Sequence, residues 1–332
     1  MSPAPRVFVA RRLPGGVAAG SPLHRLQQAA DVDVWEDAAP PPAAALRERA
    51  ATAEGLLPML TDRVDGDLLD ACPRVRVVAN MAVGYDNIDV AACTARGVLV
   101  TNTPGVLTDT TADMTWALLL AAARRLPEGE RAVREGAWGP WAPTWLLGQR
   151  VTGATLGIIG PGRIGAAVAR RAAAFEMRVL YHGRRPHADF PGEYVSLDDL
   201  LTRSDYVSIH TPLTAETSEM CDDAFFARMQ PHAIFVNTAR GGVVDQAALA
   251  RALRDGVIGG AALDVTTPEP LPVDDPLLDA PHLVIAPHLG SATEETRTRM
   301  ADLAVDGLLA GLTGQRPQHL VNPDALAVGG RR

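Results

Sequence analysis

Short apolar runs alternate with helix-patterned stretches along almost the whole chain. In the first third, residues 6–10 (RVFVA), 32–35, 55–60, 75–80 and 98–101 read as strands. Helices are expected near 22–30, after the proline run at 40–42, and from about 86 to 96. Proline suits a first helical turn, where its missing N–H costs nothing. A second, more regular series follows residue 151, with strands at 155–160, 177–181, 206–210, 233–238, 260–264 and 282–286 and helices between most of them. Strands alternating with helical segments imply a parallel sheet with helices on both faces.

Three stretches break the rhythm. Residues 108–125 form a long apolar helix in this reading, capped by Thr or Asp and ending in Arg124 and Arg125, as the helix dipole favours. Trp138, Trp141 and Trp145 then stand among Gly and Pro. They could be a packed connector, but so much apolar surface on a projecting segment suggests a subunit contact. Residues 293–312 read as one amphipathic helix, with Met300, Leu303, Ala304, Gly307, Leu308 and Leu312 on a single face. No short-period repeat occurs, and no low-complexity tail beyond the final VGGRR.

At 332 residues the chain is long for a single core, so two domains are expected. Hydrophobic residues at 47% and charged residues at 21% suit a globular protein. A net charge of −8 argues against a nucleic-acid surface. Every one of the 31 basic residues is Arg. Codon bias accounts for that, yet the lack of Lys excludes a Schiff-base lysine, a Walker A lysine and a Tyr/Lys-type dehydrogenase. Cys72, Cys93 and Cys221 are odd in number and far apart, which gives neither a disulfide framework nor a zinc site, and no metal is expected. The opening MSPAPRVFVA does not read as a signal peptide, and the apolar run 116–123 is too short to span a bilayer. A cytoplasmic protein without membrane contact is expected.

Candidate chemistry begins at TLGIIGPGRIG, residues 155–165. Gly160, Gly162 and Gly165 give G-x-G-x-x-G between a strand and a helix, the context the motif requires. The first glycine permits a tight turn, the second lets the backbone approach a pyrophosphate, and the third lets the helix close on the sheet. The helix start adds unpaired N–H groups and a positive dipole end. In open α/β sheets, ligands bind beyond the carboxyl ends of the strands. Arg240, Asp264 and His288 stand at or just past such ends, and Glu269 lies in the loop leaving the Asp264 strand. Singly these could be a turn cap, a solvated acid and a hydrogen-bonded strand-end residue; together, on the edge that carries the glycine turn, they suggest a site. Reducing a 2-oxo acid leaves an alkoxide that needs a proton, which suits a histidine backed by a carboxylate. The substrate carboxylate suits an arginine, which binds it bidentately.

These residues resemble the D-isomer-specific 2-hydroxyacid dehydrogenases: NTARG at 237–241, DVTTPEPL at 264–271 and PHLGSAT at 287–293. The resemblance spans nearly the whole chain. Through VGYD at 83–86, LTDTTAD at 107–113 and the tryptophan segment, it is nearest to the glyoxylate/hydroxypyruvate reductases. It implies two Rossmann-like, doubly wound parallel-sheet domains with the active site in the cleft between them. The substrate domain would comprise 1–107 plus 292–332, and the dinucleotide domain 108–291, with a dimerisation segment at about 124–146. Arg240 would grip the substrate, His288 would be the acid/base and Glu269 its partner. The N–H groups of Val83 and Gly84 would hold the substrate carboxylate, with Ser291 nearby and Trp141 reaching the partner's site in a homodimer. Asp264 would orient the nicotinamide amide. Thr111, Pro161, Arg163, Ile164, Pro212, Thr238 and Gly290 would join the three glycines around the cofactor. Asp113 departs from the family's usual Glu, and Pro161 fills the variable position of the glycine turn.

Two matters stay open in the sequence. A phosphite or D-lactate-type dehydrogenase would share the triad, and a dinucleotide-sensing corepressor would share the fold, although this chain lacks the disordered tail usual in that class. Cofactor choice rests on the second strand, MRVLY, which ends in His182-Gly183-Arg184-Arg185-Pro186. An NAD site carries an acidic residue there, whereas the first carboxylate downstream is Asp189. Two arginines can bind a 2′-phosphate, with Gly183 leaving room for it, unless they are merely solvated in a turn. The expectation is NADP(H) in preference to NAD(H).

Overall fold

Two parallel sheets carry the chain in the computed structural model, which describes residues 3–329. Met1, Ser2 and the end of the VGGRR tail lie outside the described residues. The chain divides into two compact units, Met1–Leu107 with Ala292–Arg332, and Thr108–Ser291.

The first unit opens with β1 (Arg6–Val9), α1 (Pro22–Ala29), β2 (Asp31–Val34), α2 (Ala43–Ala50) and β3 (Gly55–Leu57). It continues through α3 (Gly66–Ala71), β4 (Val77–Ala79), α4 (Val90–Ala95) and β5 (Leu99–Thr101). The strands lie in the order β2-β1-β3-β4-β5, every pair parallel. Phe8, Leu56, Val78 and Val100 pack on one face against Leu46, Ile88 and Cys93. Several elements are shorter than the sequence pattern suggests, β4 among them, and two of these have a clear cause. Pro58 cannot donate to the ladder, and β3 stops at Leu57. The helix expected from 86 starts only at Val90, because the Asp89 side chain accepts from Ala92 N and caps it there, while Ile88 bridges to Val64.

The second unit begins with α5 (Thr108–Ala123) and α6 (Leu126–Arg134). Arg125 does not end α5 as its dipole partner. It adopts φ 52, turns the chain into α6, and its Nε donates to Glu128 at 2.7 Å. Residues 136–149 form no helix or strand, and Trp141 is 85% exposed. Next come β6 (Thr155–Ile159), α7 (Arg163–Ala172), β7 (Arg178–His182), the short edge strand β8 (Glu193–Tyr194), α8 (Leu197–Arg203) and β9 (Tyr206–Ile209). The unit closes with α9 (Asp223–Arg228), β10 (Ile234–Asn237), α10 (Gln246–Arg254), β11 (Gly260–Leu263) and β12 (Leu283–Ile285). Side chains on successive strand positions point to opposite faces. Ile158 and Val236 therefore join Trp116, Leu119 and Val168 on one side, whereas Ile159 and Phe235 join Phe225, Phe226 and Leu249 on the other.

The chain then returns to the first unit through α11 (Glu294–Leu312) and α12 (Ala325–Gly329). Thr293 caps α11 by accepting from Thr296 N. The helix lies tight on the five-stranded sheet: a Cβ on Gly311 would come within 2.8 Å of Val77, and one on Gly55 within 2.9 Å of Leu308. Leu303, expected on the buried face, is only half-buried. Among the described residues no helix is long and apolar enough to cross a membrane.

Candidate active site

The seven-stranded sheet runs β12-β11-β10-β9-β6-β7-β8. From β6 the chain builds outward one way through β7 and β8, then returns to build the other way from β9. The order therefore reverses between β6 and β9, and such a switch point opens a crevice at the carboxyl ends. Gly160 stands there at φ +97, and a Cβ on it would lie 2.7 Å from the His210 carbonyl at the end of β9. A Cβ on Gly165 would lie 2.4 Å from the Gly160 oxygen, so only glycine lets α7 close on the turn. A Cβ on Gly162 would meet nothing within 4 Å, which leaves open space above the turn. No side chain caps α7, so the N–H groups at Arg163 and Ile164 are offered outward. Each glycine thus has the separate role that a dinucleotide pyrophosphate requires of it, and the residues fit that group.

Beside this turn, a Cβ on Gly183 would lie 2.6 Å from the Pro161 ring. The glycine is therefore required by the proline inside the loop. Arg184 and Arg185 follow, both exposed, and neither makes a hydrogen bond or ion pair to another described residue. Arg184 does lie near Glu216, whose carboxyl is held below its usual range mainly by a hydrogen bond from Thr214 and more weakly by that guanidinium. His210 is a second histidine on this edge. Its Nε2 is 2.9 Å from Ser208 Oγ, and burial pushes its pKa down to about 3, so it stays neutral.

At the other end of the edge, Arg240, Glu269 and His288 lie in the loops that follow β10, β11 and β12. His288 lies three residues past β12 at φ 54, with its N–H donating to the Asp264 oxygen at 2.8 Å. Its Nδ1 is 2.8 Å from Glu269 Oε2, and each side chain is 28% exposed. Glu269 Oε1 in turn accepts from Thr266 N at 3.1 Å. With Nδ1 engaged by Glu269, Nε2 is the ring nitrogen left for another partner. Asp264 is buried, and its two oxygens accept from Leu289 N at 2.6 Å and Gly290 N at 2.7 Å. Burial raises its carboxyl above the usual range, against the pull of those two N–H groups and His288. The carboxylate therefore ties the His288 loop to β11 and still has lone pairs to offer.

Arg240 follows β10 on a pinned loop. Asn237 Nδ2 donates to the Arg240 oxygen at 2.9 Å, and a Cβ on Gly241 would lie 1.9 Å from the Thr266 oxygen. The Arg240 and Glu269 loops are thus in direct contact. Thr238 and Thr111 are both buried, joined through Thr115, whose Oγ1 is 2.9 Å from Thr238 Oγ1 and donates to the Thr111 oxygen at 2.8 Å. Pro212 is exposed beyond β9, and Ser291 is half-buried after the His288 loop. Asp113, the departure from the family pattern, accepts from Arg171 Nε at 2.8 Å and ties α5 to α7. Val83 and Gly84 belong to the first unit, where they lie in the loop after β4. The reading from sequence passes over Asn80 and Asn102, although each stands one residue past a strand end, the same signal that picks out Asp264.

A reversing parallel sheet with a glycine turn at its switch point and a His–Glu pair on the same edge defines a dinucleotide-dependent oxidoreductase. The family model for the D-isomer specific 2-hydroxyacid dehydrogenase NAD-binding domain matches residues 116–290. The glyoxylate reductase of Korarchaeum cryptofilum is 50% identical over 329 residues, covering 98% of both chains. The crystal structure of the TT0316 protein from Thermus thermophilus superposes with a TM-score of 0.89 at 48% identity, covering 95% of this chain and 99% of that one. An NADPH-dependent glyoxylate/hydroxypyruvate reductase from Sinorhizobium meliloti, solved with NADP and malonate, gives 0.83 at 34% identity, covering 97% of each. The chain belongs to the D-isomer-specific 2-hydroxyacid dehydrogenase family and binds a nicotinamide dinucleotide.

Proposed function

We propose that the protein reduces glyoxylate or hydroxypyruvate to the corresponding 2-hydroxy acid. The observation that carries this reading is the 2.8 Å contact between His288 Nδ1 and Glu269 Oε2, on the edge that also bears Arg240. Bound reduced nicotinamide supplies a hydride to the carbonyl carbon. His288 Nε2 gives the forming alkoxide its proton, while Glu269 fixes the ring and stabilises the imidazolium before transfer. Arg240 and the N–H groups of Val83 and Gly84 hold the substrate carboxylate. Asp264, Thr111, Thr238, Pro212 and Gly290 are assigned to the nicotinamide side, and Ser291 to the substrate side. The names of the relatives favour glyoxylate over lactate or phosphite. Steady-state assays of glyoxylate, hydroxypyruvate, pyruvate and phosphite with both cofactors test the reading. A higher kcat/KM for pyruvate or phosphite would overturn it, and dinucleotide binding without any turnover would favour a sensor.

The cofactor in this reading is NADPH, recognised by Arg184 and Arg185. No carboxylate stands at the end of β7 to repel a 2′-phosphate, and neither exposed guanidinium makes a hydrogen bond or ion pair to another described residue, although Arg184 lies near Glu216. Wild-type enzyme should show a higher kcat/KM with NADPH than with NADH. Arg184→Ala/Arg185→Ala should lose that preference, with the NADH value nearly unchanged; a double mutant that still prefers NADPH would remove the arginines from the argument.

The reading includes a homodimer in the cytoplasm. Leu126, Val133, Trp138, Trp141 and Leu147 are all exposed on the 124–146 segment and its flank, apolar surface of the kind a subunit contact covers. Trp141 is assigned to the partner's substrate site. All three cysteines are buried free thiols, as a reducing compartment maintains them. Sedimentation at micromolar concentration should give twice the chain mass, and a fully active monomer would exclude the dimer.

A further inference from the structure

Three successive carbonyls in the loop after β4 are held from behind. The Ala82 oxygen accepts from Thr103 N at 2.9 Å, the Val83 oxygen from Asn102 Nδ2 at 2.8 Å, and the Gly84 oxygen from Asn80 Nδ2 at 2.9 Å. All three donors sit immediately past strand ends, Asn80 after β4 and Asn102 with Thr103 after β5. Asn80 is fully buried, and its amide also reaches Asn87 Oδ1 at 3.2 Å. Asn87 Nδ2 then donates to the oxygens of Met59 at 3.0 Å and Asp62 at 2.9 Å. The loop is thereby anchored to the end of β3 as well.

A trans peptide is planar, with its C=O and N–H pointing in opposite directions. Fixing the Ala82 oxygen aims the Val83 N–H, and fixing the Val83 oxygen aims the Gly84 N–H. Among the described residues neither of those N–H groups has an acceptor. Two adjacent donors, pointed away from the sheet by bonds on their far sides, make a preformed cradle for a carboxylate. We infer that Asn102 is a positioning residue for substrate binding: its amide sets the direction of the Gly84 N–H, and Asn80 with Asn87 keeps the loop from rotating. This deepens the 2-oxo acid reading above and rests on it.

The inference separates carboxylate binding from chemistry. A tenfold change corresponds to about 1.4 kcal/mol, within the upper part of what one aligned hydrogen bond contributes. Asn102→Ala should raise the KM for glyoxylate about tenfold and the inhibition constant of oxalate in parallel. The kcat and the dissociation constant for NADPH should stay within twofold of wild type. Asn102→Asp keeps the shape but turns a second acceptor toward the Val83 oxygen, so it should do at least as much harm. A purely space-filling role would leave the aspartate variant normal. Thermal melts of both variants identify any general loss of fold. A folded variant with wild-type KM, or with kcat and NADPH binding lost together, would overturn the inference. Wild-type enzyme inert toward every 2-oxo acid would instead overturn the functional reading, and this role with it.

Discussion

Replacing His288 should lower kcat by about 10²–10⁴, the usual contribution of a positioned general acid, while leaving the dissociation constant for the dinucleotide unchanged. The separation is expected from the sheet order. His288 follows β12, four strands away from β6 and its glycine turn. The choice of variant matters, because His288 sits at φ 54, in the left-handed region. Alanine there carries the backbone cost of any L-residue, whereas asparagine tolerates that conformation better. His288→Asn therefore removes proton transfer with the least disturbance of the loop, which the Asp264 carboxylate holds through Leu289 N and Gly290 N. Both variants should show the same loss of kcat. If only the alanine variant were slow, the backbone and not the imidazole would be responsible, and near-normal turnover in both would remove His288 from the proton-transfer role. Glu269→Gln should give a smaller fall in kcat, since glutamine can still accept the Nδ1 proton but brings no charge to stabilise the imidazolium.

Much of this edge was legible from residue order because its requirements are local. A strand, a tight turn and a helix start within eleven residues leave little freedom: Gly160 and Gly165 have steric reasons in the chain itself, while Gly162 leaves open space above the turn. Strand ends were legible for a similar reason: in a parallel sheet all carboxyl ends share one edge, so Arg240, Asp264 and His288 could be placed together before any contact was known. The misses are those in which a distant partner decides. Arg125 has the composition of a helix terminus, but a left-handed turn and its pairing with Glu128 start a second helix there. Gly183 at the end of β7 has a steric reason that the sequence order hides, because a Cβ there would meet the Pro161 ring. Asn80 and Asn102 act on carbonyls of a loop several residues away, and asparagine after a strand is common enough to attract no notice.

Arg240→Ala should raise the KM for the 2-oxo acid at least 30-fold. Removing one partner of a close charge pair costs about 2–5 kcal/mol, and each 1.4 kcal/mol is a factor of ten. The Arg240 guanidinium itself donates from Nη1 to the Ala239 oxygen at 2.8 Å, but the backbone at this position keeps other ties when that bond is removed. Asn237 Oδ1 accepts from Ala239 N at 2.9 Å, Asn237 Nδ2 donates to the Arg240 oxygen, and Gly241 lies hard against the Thr266 carbonyl. Arg240→Lys sharpens the test. Lysine keeps the charge but replaces a planar fork by a single point donor. If simple charge attraction holds the carboxylate, the lysine variant should recover most of the lost affinity. If bidentate geometry is required, it should recover only a small part, and kcat should fall as well because the carbonyl is no longer fixed relative to His288. The second outcome is expected, since reaction at the adjacent carbonyl demands an orientation that one hydrogen bond does not set. An unchanged KM in Arg240→Ala would show that the carboxylate is held elsewhere, leaving the Val83 and Gly84 N–H groups as its principal anchor.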